Sequence, residues 1–148
     1  MMTAEPIRPW WHDPKVITRL PRMTSRVGDI VIDCADPELL AAFWSGVLGY
    51  RIFARDETGV AIRGATVSPD ILFIRVPEVK SAKNRLHFDV CPTDGDQAQE
   101  LDRLLALGAR RSPIQAGGSW VVLEDPEGNE FCLMAKRIAA EPEPFHEP

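Results

Sequence analysis

A chain of 148 residues, 45% of them hydrophobic, has enough apolar mass for one domain-sized core. Its net charge of −5 and pI near 5.2 offer no counter-charge to nucleic acid or an anionic membrane surface, so neither is an expected partner. No run approaches the roughly 18 apolar residues of a membrane span, and the N-terminus, MMTAEPIRPWWHDPKV, lacks the continuous apolar stretch of a secretory signal. Cys34, Cys91 and Cys132 are an odd number without a close pair, which suits reduced thiols and a cytoplasmic location.

Residues 1–25 carry Pro6, Pro9, Pro14 and Pro21, which breaks both helix and strand and predicts an extended arm. Trp10, Trp11 and His12 give that arm an apolar surface, expected to pack over this chain or a partner subunit. A strand is predicted over 27–33. A helix follows over 36–49, with Asp36 as N-cap, Pro37 at the first helical position, Gly49 past the end and an apolar stripe of Leu39, Leu40, Phe43, Trp44, Val47 and Leu48. Three strands then read as YRIFARD, GVAIRGA and DILFIRV. A polar linker, 77–84, leads to a second strand–helix–three-strand set. It has a strand at 85–91, a helix starting at Asp94 with Gln97 as capping partner and ending at Gly108, and strands near 109–113, 118–124 and 130–136. Residues 137–148, acidic and proline-rich, read as a disordered tail.

The chain is thus a tandem repeat of two βαβββ modules, 27–76 and 85–136, within a domain spanning 26–136. Seven residues separate Asp29 from Asp36 and His87 from Asp94, and 24 separate Gly49 from Phe73 and Gly108 from Cys132. The count matches Asp29 with His87 and Phe73 with Cys132. Side-chain alternation puts Ile30 and Ile32 on the helix-covered face and leaves Asp29, Val31 and Asp33 on the other. His87 and Asp89 follow by the same rule. In the last strand, after the turn at Asp125-Pro126-Glu127-Gly128-Asn129, Cys132 shares a face with Glu130 and Met134. If the modules pair about a pseudo-two-fold axis, these faces form a concave sheet lined by polar groups, the setting of a small-molecule site.

The stretches DPELLAAFWSGVLGY, LALGAR and WVVLEDPEGNEFCLM, in this order and within an internal repeat, resemble the vicinal oxygen chelate superfamily, the glyoxalase/bleomycin resistance/dioxygenase fold, and its glyoxalase-like members in particular. The resemblance implies an α+β fold in which the two modules form a curved mixed sheet, a half-barrel, with helices on the outer face. It also implies a metal held by one ligand from the first and last strand of each module. Those positions here are Asp29, Phe73, His87 and Cys132. Only His87 is a usual ligand of the family; Phe73 cannot bind a metal, and Cys132 stands where a Glu normally completes the set. No cofactor is therefore expected, the alternative being a divalent metal such as zinc at Asp29, His87 and Cys132.

His87, with Asp29 and Asp89, is the acid/base candidate, against the plainer role of a hydrogen-bonded cavity residue. Cys132 reads as a small buried thiol more than as a nucleophile, which would need a stabilised thiolate. Arg75, beside Phe73, could clamp a carboxylate or pair with Asp29, Asp33 or Asp89. Trp44 belongs to the core, and Trp120 to a wall on which a ligand stacks. The functional expectation is a protein that binds a small organic molecule in the cleft and transforms it by lyase- or isomerase-type chemistry. The alternative is a non-catalytic, resistance-type protein that sequesters its ligand. A homodimer is expected in either case.

Overall fold

The computed structural model describes residues 25–66, 68–114 and 117–140. The arm with Trp10, Trp11 and His12, and the tail from residue 141 on, lie outside the described residues. Module one comprises β1 (Asp29–Cys34), α1 (Pro37–Leu48), β2 (Arg51–Arg55), β3 (Gly59–Arg63) and β4 (Asp70–Arg75). Module two comprises β5 (Asp89–Val90), α2 (Gln97–Leu107), β6 (Arg110–Arg111), β7 (Val121–Glu124) and β8 (Glu130–Leu133). Each forms an open four-stranded sheet, in the orders β1-β4-β3-β2 and β5-β8-β7-β6, with the first strand parallel to the last and the rest antiparallel. The fold is α+β with duplicated topology, as the repeat predicts.

The helix ends follow from their capping residues. The Asp36 carboxylate accepts the Leu39 N–H at 3.2 Å, Pro37 opens α1, and Gly49 ends it at φ 69°, a left-handed conformation that glycine adopts without steric cost. The second cap differs from the expectation: Asp96, not Asp94, caps α2, in a reciprocal box with Gln99. Both pairs have the same spacing, but Gln97 is occupied elsewhere. Its amide donates to the carbonyls of Ser119 and Leu133 at 2.9 and 3.1 Å, tying the start of α2 to the end of β8. The strand predicted over 85–91 narrows to Asp89–Val90, and that over 109–113 to Arg110–Arg111. Leu39, placed on the apolar stripe, is 46% exposed; Leu40, Ala41, Phe43 and Trp44 carry the buried face.

The core runs through both modules. Ile30, Ile32, Val60, Ile62, Ile71 and Phe73 cover one side of α1, and Phe88, Phe131 and Leu133 receive the other. Trp44 joins the two, with edge-to-face contacts to Phe88 and Phe131 at centroid distances of 5.2 and 5.1 Å. Its indole N–H donates to Asp125 Oδ2 at 3.2 Å. Module two also grips both ends of α1. Glu127 accepts the Ala35 and Asp36 N–H groups at 2.9 and 2.6 Å, and Arg103, oriented by Glu100, donates to the Gly46 and Val47 carbonyls at 2.8 and 3.1 Å. A carboxylate at the N-terminus and a guanidinium at the C-terminus both complement the helix dipole. No helix among the described residues is long and apolar enough to cross a membrane.

Asp125 is fully buried and also accepts N–H groups from Glu127 and Asn129, the latter through both backbone and side chain. Burial pushes its carboxyl up, while these donors and the Trp44 indole pull it down. Asp125→Ala would strand several donors in the interior. We expect it to cost about 3 kcal/mol or more of unfolding free energy by urea denaturation. A loss below about 1 kcal/mol would show that the inter-module lock does not rest on this residue.

Candidate functional site

The parallel pairing of β5 with β8 builds the site. Asp89 lies opposite Cys132 and Val90 opposite Leu133, and the ladder continues through Cys132 N–H to Phe88 O at 2.8 Å and Met134 N–H to Val90 O at 2.8 Å. Phe88 and Val90 pack against the core, so alternation sends His87 and Asp89 to the open face, where Cys132 meets them. His87 Nε2 lies 3.4 Å from Asp89 Oδ1, and one donor atom from each of His87, Asp89 and Cys132 falls within 4.8 Å of the others.

These groups line a cavity of about 380 Å³ with Trp120, Val122, Ile114, Met134, Glu130 and Lys83. A Cβ at Gly118 would stand 1.9 Å from the Trp120 ring, so the glycine makes room for the indole where it lies. Glu130 is already committed: it accepts the Asn84 N–H at 2.9 Å and meets Lys80 Nζ at 3.0 Å. Burial raises its carboxyl, but these two partners outweigh that and hold it below the ordinary range. The Cys132 thiol is pushed up, first by burial and then by the charge and hydrogen bond of Asp89. A thiol so placed stays protonated near neutral pH and is a poor nucleophile.

Of the predicted site residues, His87, Asp89, Cys132 and Trp120 come together here; Asp29, Phe73 and Arg75 do not line the cavity. Asp29 lies on β1, exposed, on the open face of module one. Phe73 was expected on the concave face, but it is fully buried in the core beneath α1. The cause is a one-residue slip. Val31, the counterpart of Asp89, pairs with Leu72, whereas Asp89 pairs with Cys132, so the module-one equivalent of Cys132 is Leu72. A slip of one reverses the face of every side chain. Arg75 shares the face of Phe73 at the strand end, and its guanidinium donates to the Ala35 carbonyl, bracing the turn into α1 rather than facing a ligand. Sequence reasoning had placed Glu130 and Met134 on the Cys132 face without assigning them a role, and it missed Lys83, which comes from the linker and carries no periodic signal.

Comparison with known proteins agrees with this architecture. Residues 29–134 match the family model described as a glyoxalase-like domain, and the chain belongs to that family. Among solved structures, the fosfomycin resistance protein FosX from Mesorhizobium loti superposes with a TM-score of 0.58 at 15% identity, covering 77% of this chain and 94% of that one. A glyoxalase/bleomycin resistance/dioxygenase family enzyme from Burkholderia phytofirmans gives 0.56 at 22% identity, covering 74% and 97%. A mutant FosX from Listeria monocytogenes, complexed with Mn(II) and 1S,2S-dihydroxypropylphosphonic acid, gives 0.59 at 14%, covering 76% and 91%. No match was found among curated proteins. At these identities the likeness is one of fold.

The described residues contain one group able to hold a metal, His87, Asp89 and Cys132. Its mixture of nitrogen, oxygen and sulfur is not the oxygen-rich set that a hard ion such as Mn(II) prefers.

The environment of Cys132 makes a direct prediction. Asp89→Asn removes the carboxylate charge that raises the thiol, so more thiolate forms at a given pH. Iodoacetamide labelling of Cys132 at about pH 8, followed by mass spectrometry, should accelerate several-fold in the variant. An unchanged rate would mean that the carboxylate does not govern the thiol.

Proposed function

We propose that the protein binds a small organic molecule on the open face of module two and transforms it by lyase- or isomerase-type chemistry, with His87 as the acid/base group and Asp89 as its partner. The observation that carries this reading is the cavity itself, where a His–Asp pair at 3.4 Å adjoins an apolar wall of Trp120, Val122 and Met134. Such a site orients a ligand through a few polar contacts while burying its hydrocarbon surface. Members of the family to which the chain belongs, and fosfomycin resistance proteins of similar fold, are consistent with small-molecule work. The second reading is a non-catalytic sequestering protein. It draws support from the raised thiol of Cys132 and the engagement of Glu130, which withdraw two of the lining groups from nucleophilic or acid/base work. The functional unit is taken as residues 26–136, with the arm over 1–25 and the tail over 137–148 as appendages. A cytoplasmic home accords with three cysteines that are all free.

The test is a thermal-shift screen of small organic acids and aromatic compounds, followed by titration of any hit. Trp120→Ala and His87→Ala should each weaken binding about fivefold, because stacking and one polar contact are each worth about 1 kcal/mol, with little change in melting temperature. Mass spectrometry of the incubated ligand separates the readings: a product lost in His87→Gln marks an enzyme, and an unaltered ligand marks a binder. Hits whose affinity is untouched by both substitutions would place the ligand elsewhere.

The same reading includes a homodimer. The cavity is walled by module two and the linker residue Lys83, while the open face of module one exposes Val31 and Phe53, at 56% and 41%, beside the half-buried Leu72 and Ile74. A partner's module one seated over this cavity would cover that apolar face and bring its Asp29 towards the site. Val31→Asp should then yield monomers by light scattering at concentrations where the native chain is dimeric. A native chain that is monomeric at tens of micromolar would end this proposal.

A further inference from the structure

We propose that Lys83, held beside the cavity by Glu130, selects the ligand by charge, and that the ligand class is an organic monoanion, a single carboxylate on an apolar body. The inference rests on the reading of the module-two cavity as a small-molecule site. The linker brings two ammonium groups to this region, and their surroundings differ. Lys80 Nζ meets Glu130 Oε2 at 3.0 Å and donates to the Ala82 carbonyl as well. Lys83 lines the cavity; its Nζ donates to the Asn84 carbonyl at 3.2 Å and has no carboxylate within ion-pair distance among the described residues. An ammonium has three N–H donors, so that one bond leaves donors and charge for a ligand.

The Lys83 side chain is exposed, yet its backbone is tied down. Glu130 on β8 grips the linker on both sides of it, through Lys80 and through the Asn84 N–H at 2.9 Å. Residues 80–84 are thereby pinned to the strand that bears Cys132, which limits where the ammonium can reach. Glu130 is in this scheme a positioning residue. The charge of Lys83 is felt at the thiol, where it opposes the rise that Asp89 causes. With Glu130 neutralised by Lys80, Lys83 and Asp89 are the opposed charges that a ligand meets. One anionic group is drawn to the ammonium, whereas a second would be repelled by Asp89. A carboxylate carries a single charge near neutral pH and a phosphate group about two, so the carboxylate is the better match. Trp120, Val122 and Met134 receive the apolar body.

Cys132 reports the field in the full chain without an identified ligand. Iodoacetate and iodoacetamide differ by one negative charge, and each alkylates the thiolate by forming an S–C bond as iodide leaves. Their rate ratio at Cys132, read by mass spectrometry at about pH 8 and low salt, cancels the thiolate fraction, which acts on both alike. Lys83→Met should lower the iodoacetate-to-iodoacetamide ratio about threefold or more, Lys83→Arg should preserve it, and high salt should shrink the difference between Lys83→Met and the native chain. An unchanged ratio in Lys83→Met, or an equal fall in Lys83→Arg, overturns the proposal. The ligand class is tested by protection of Cys132 from iodoacetamide. Phenylacetate should protect at concentrations where phenylacetamide and the dianion phenylmalonate do not, and Lys83→Met should abolish that protection. Equal protection by all three, or by none, overturns the assigned class. Screen hits that bind without regard to His87 and Trp120 would instead overturn the underlying reading of the cavity.

Discussion

The structure depends on the seating of one helix. α1 belongs to module one by sequence, but it is held at its middle and at both ends by module two. Trp44 supplies the apolar mass between Phe88 and Phe131, and its indole N–H closes on the buried Asp125. Glu127 and Arg103 fix the two ends by pairing with backbone groups that a helix leaves unsatisfied. Asp125 and Glu127 stand in one turn, whose geometry Gly128 permits at φ 87°. The turn that begins β8 is therefore also the clamp on α1, so the orientation of the modules and the start of the strand bearing Cys132 are set together.

From this constraint the site follows. Phe88 packs under Trp44, which fixes the face of β5, and alternation then leaves His87 and Asp89 no choice but the open side. Phe131 does the same for β8 and turns Cys132 outward beside them. The polar cluster is thus positioned by the aromatic residues that alternate with it. Substitutions at Trp44 would reach the site through these two strands, most directly through Phe131, which touches the indole and also lines the cavity.

Much of this was legible in the sequence because the signals were local. Asp36, Pro37 and Gly49 define α1 by capping chemistry alone, and the period-two pattern in β1 and β5 assigns their faces. What failed depended on counting across loops. Equal spacing from Gly49 to Phe73 and from Gly108 to Cys132 implied equivalent positions, but spacing along a chain does not fix strand register, and the slip of one residue buried Phe73. The second cap failed for a related reason. Two Asp–Gln pairs had identical local merit, and a tertiary contact of Gln97 with Leu133 decided between them. Arg75 was misplaced with Phe73, since its direction was inferred from the same strand.

The corrected register also separates the roles of the two modules. Where module two has Asp89 opposite Cys132, module one has Val31 opposite Leu72, two apolar side chains in the same topological place. A duplicated fold offers two equivalent faces, and among the described residues only that of module two gathers three donors, whereas module one has Asp29 alone at the counterpart of His87. The apolar pair has no chemistry to perform, yet Val31 stays solvent-exposed at a cost that burial would remove. Cys132 is the complementary case. In an apolar face it would be an inert small residue, whereas beside His87 and Asp89 it adds sulfur to a nitrogen and an oxygen on a rigid ladder. The two modules thus share a topology but not a lining: the pairing that juxtaposes two apolar side chains in module one juxtaposes a carboxylate and a thiol in module two.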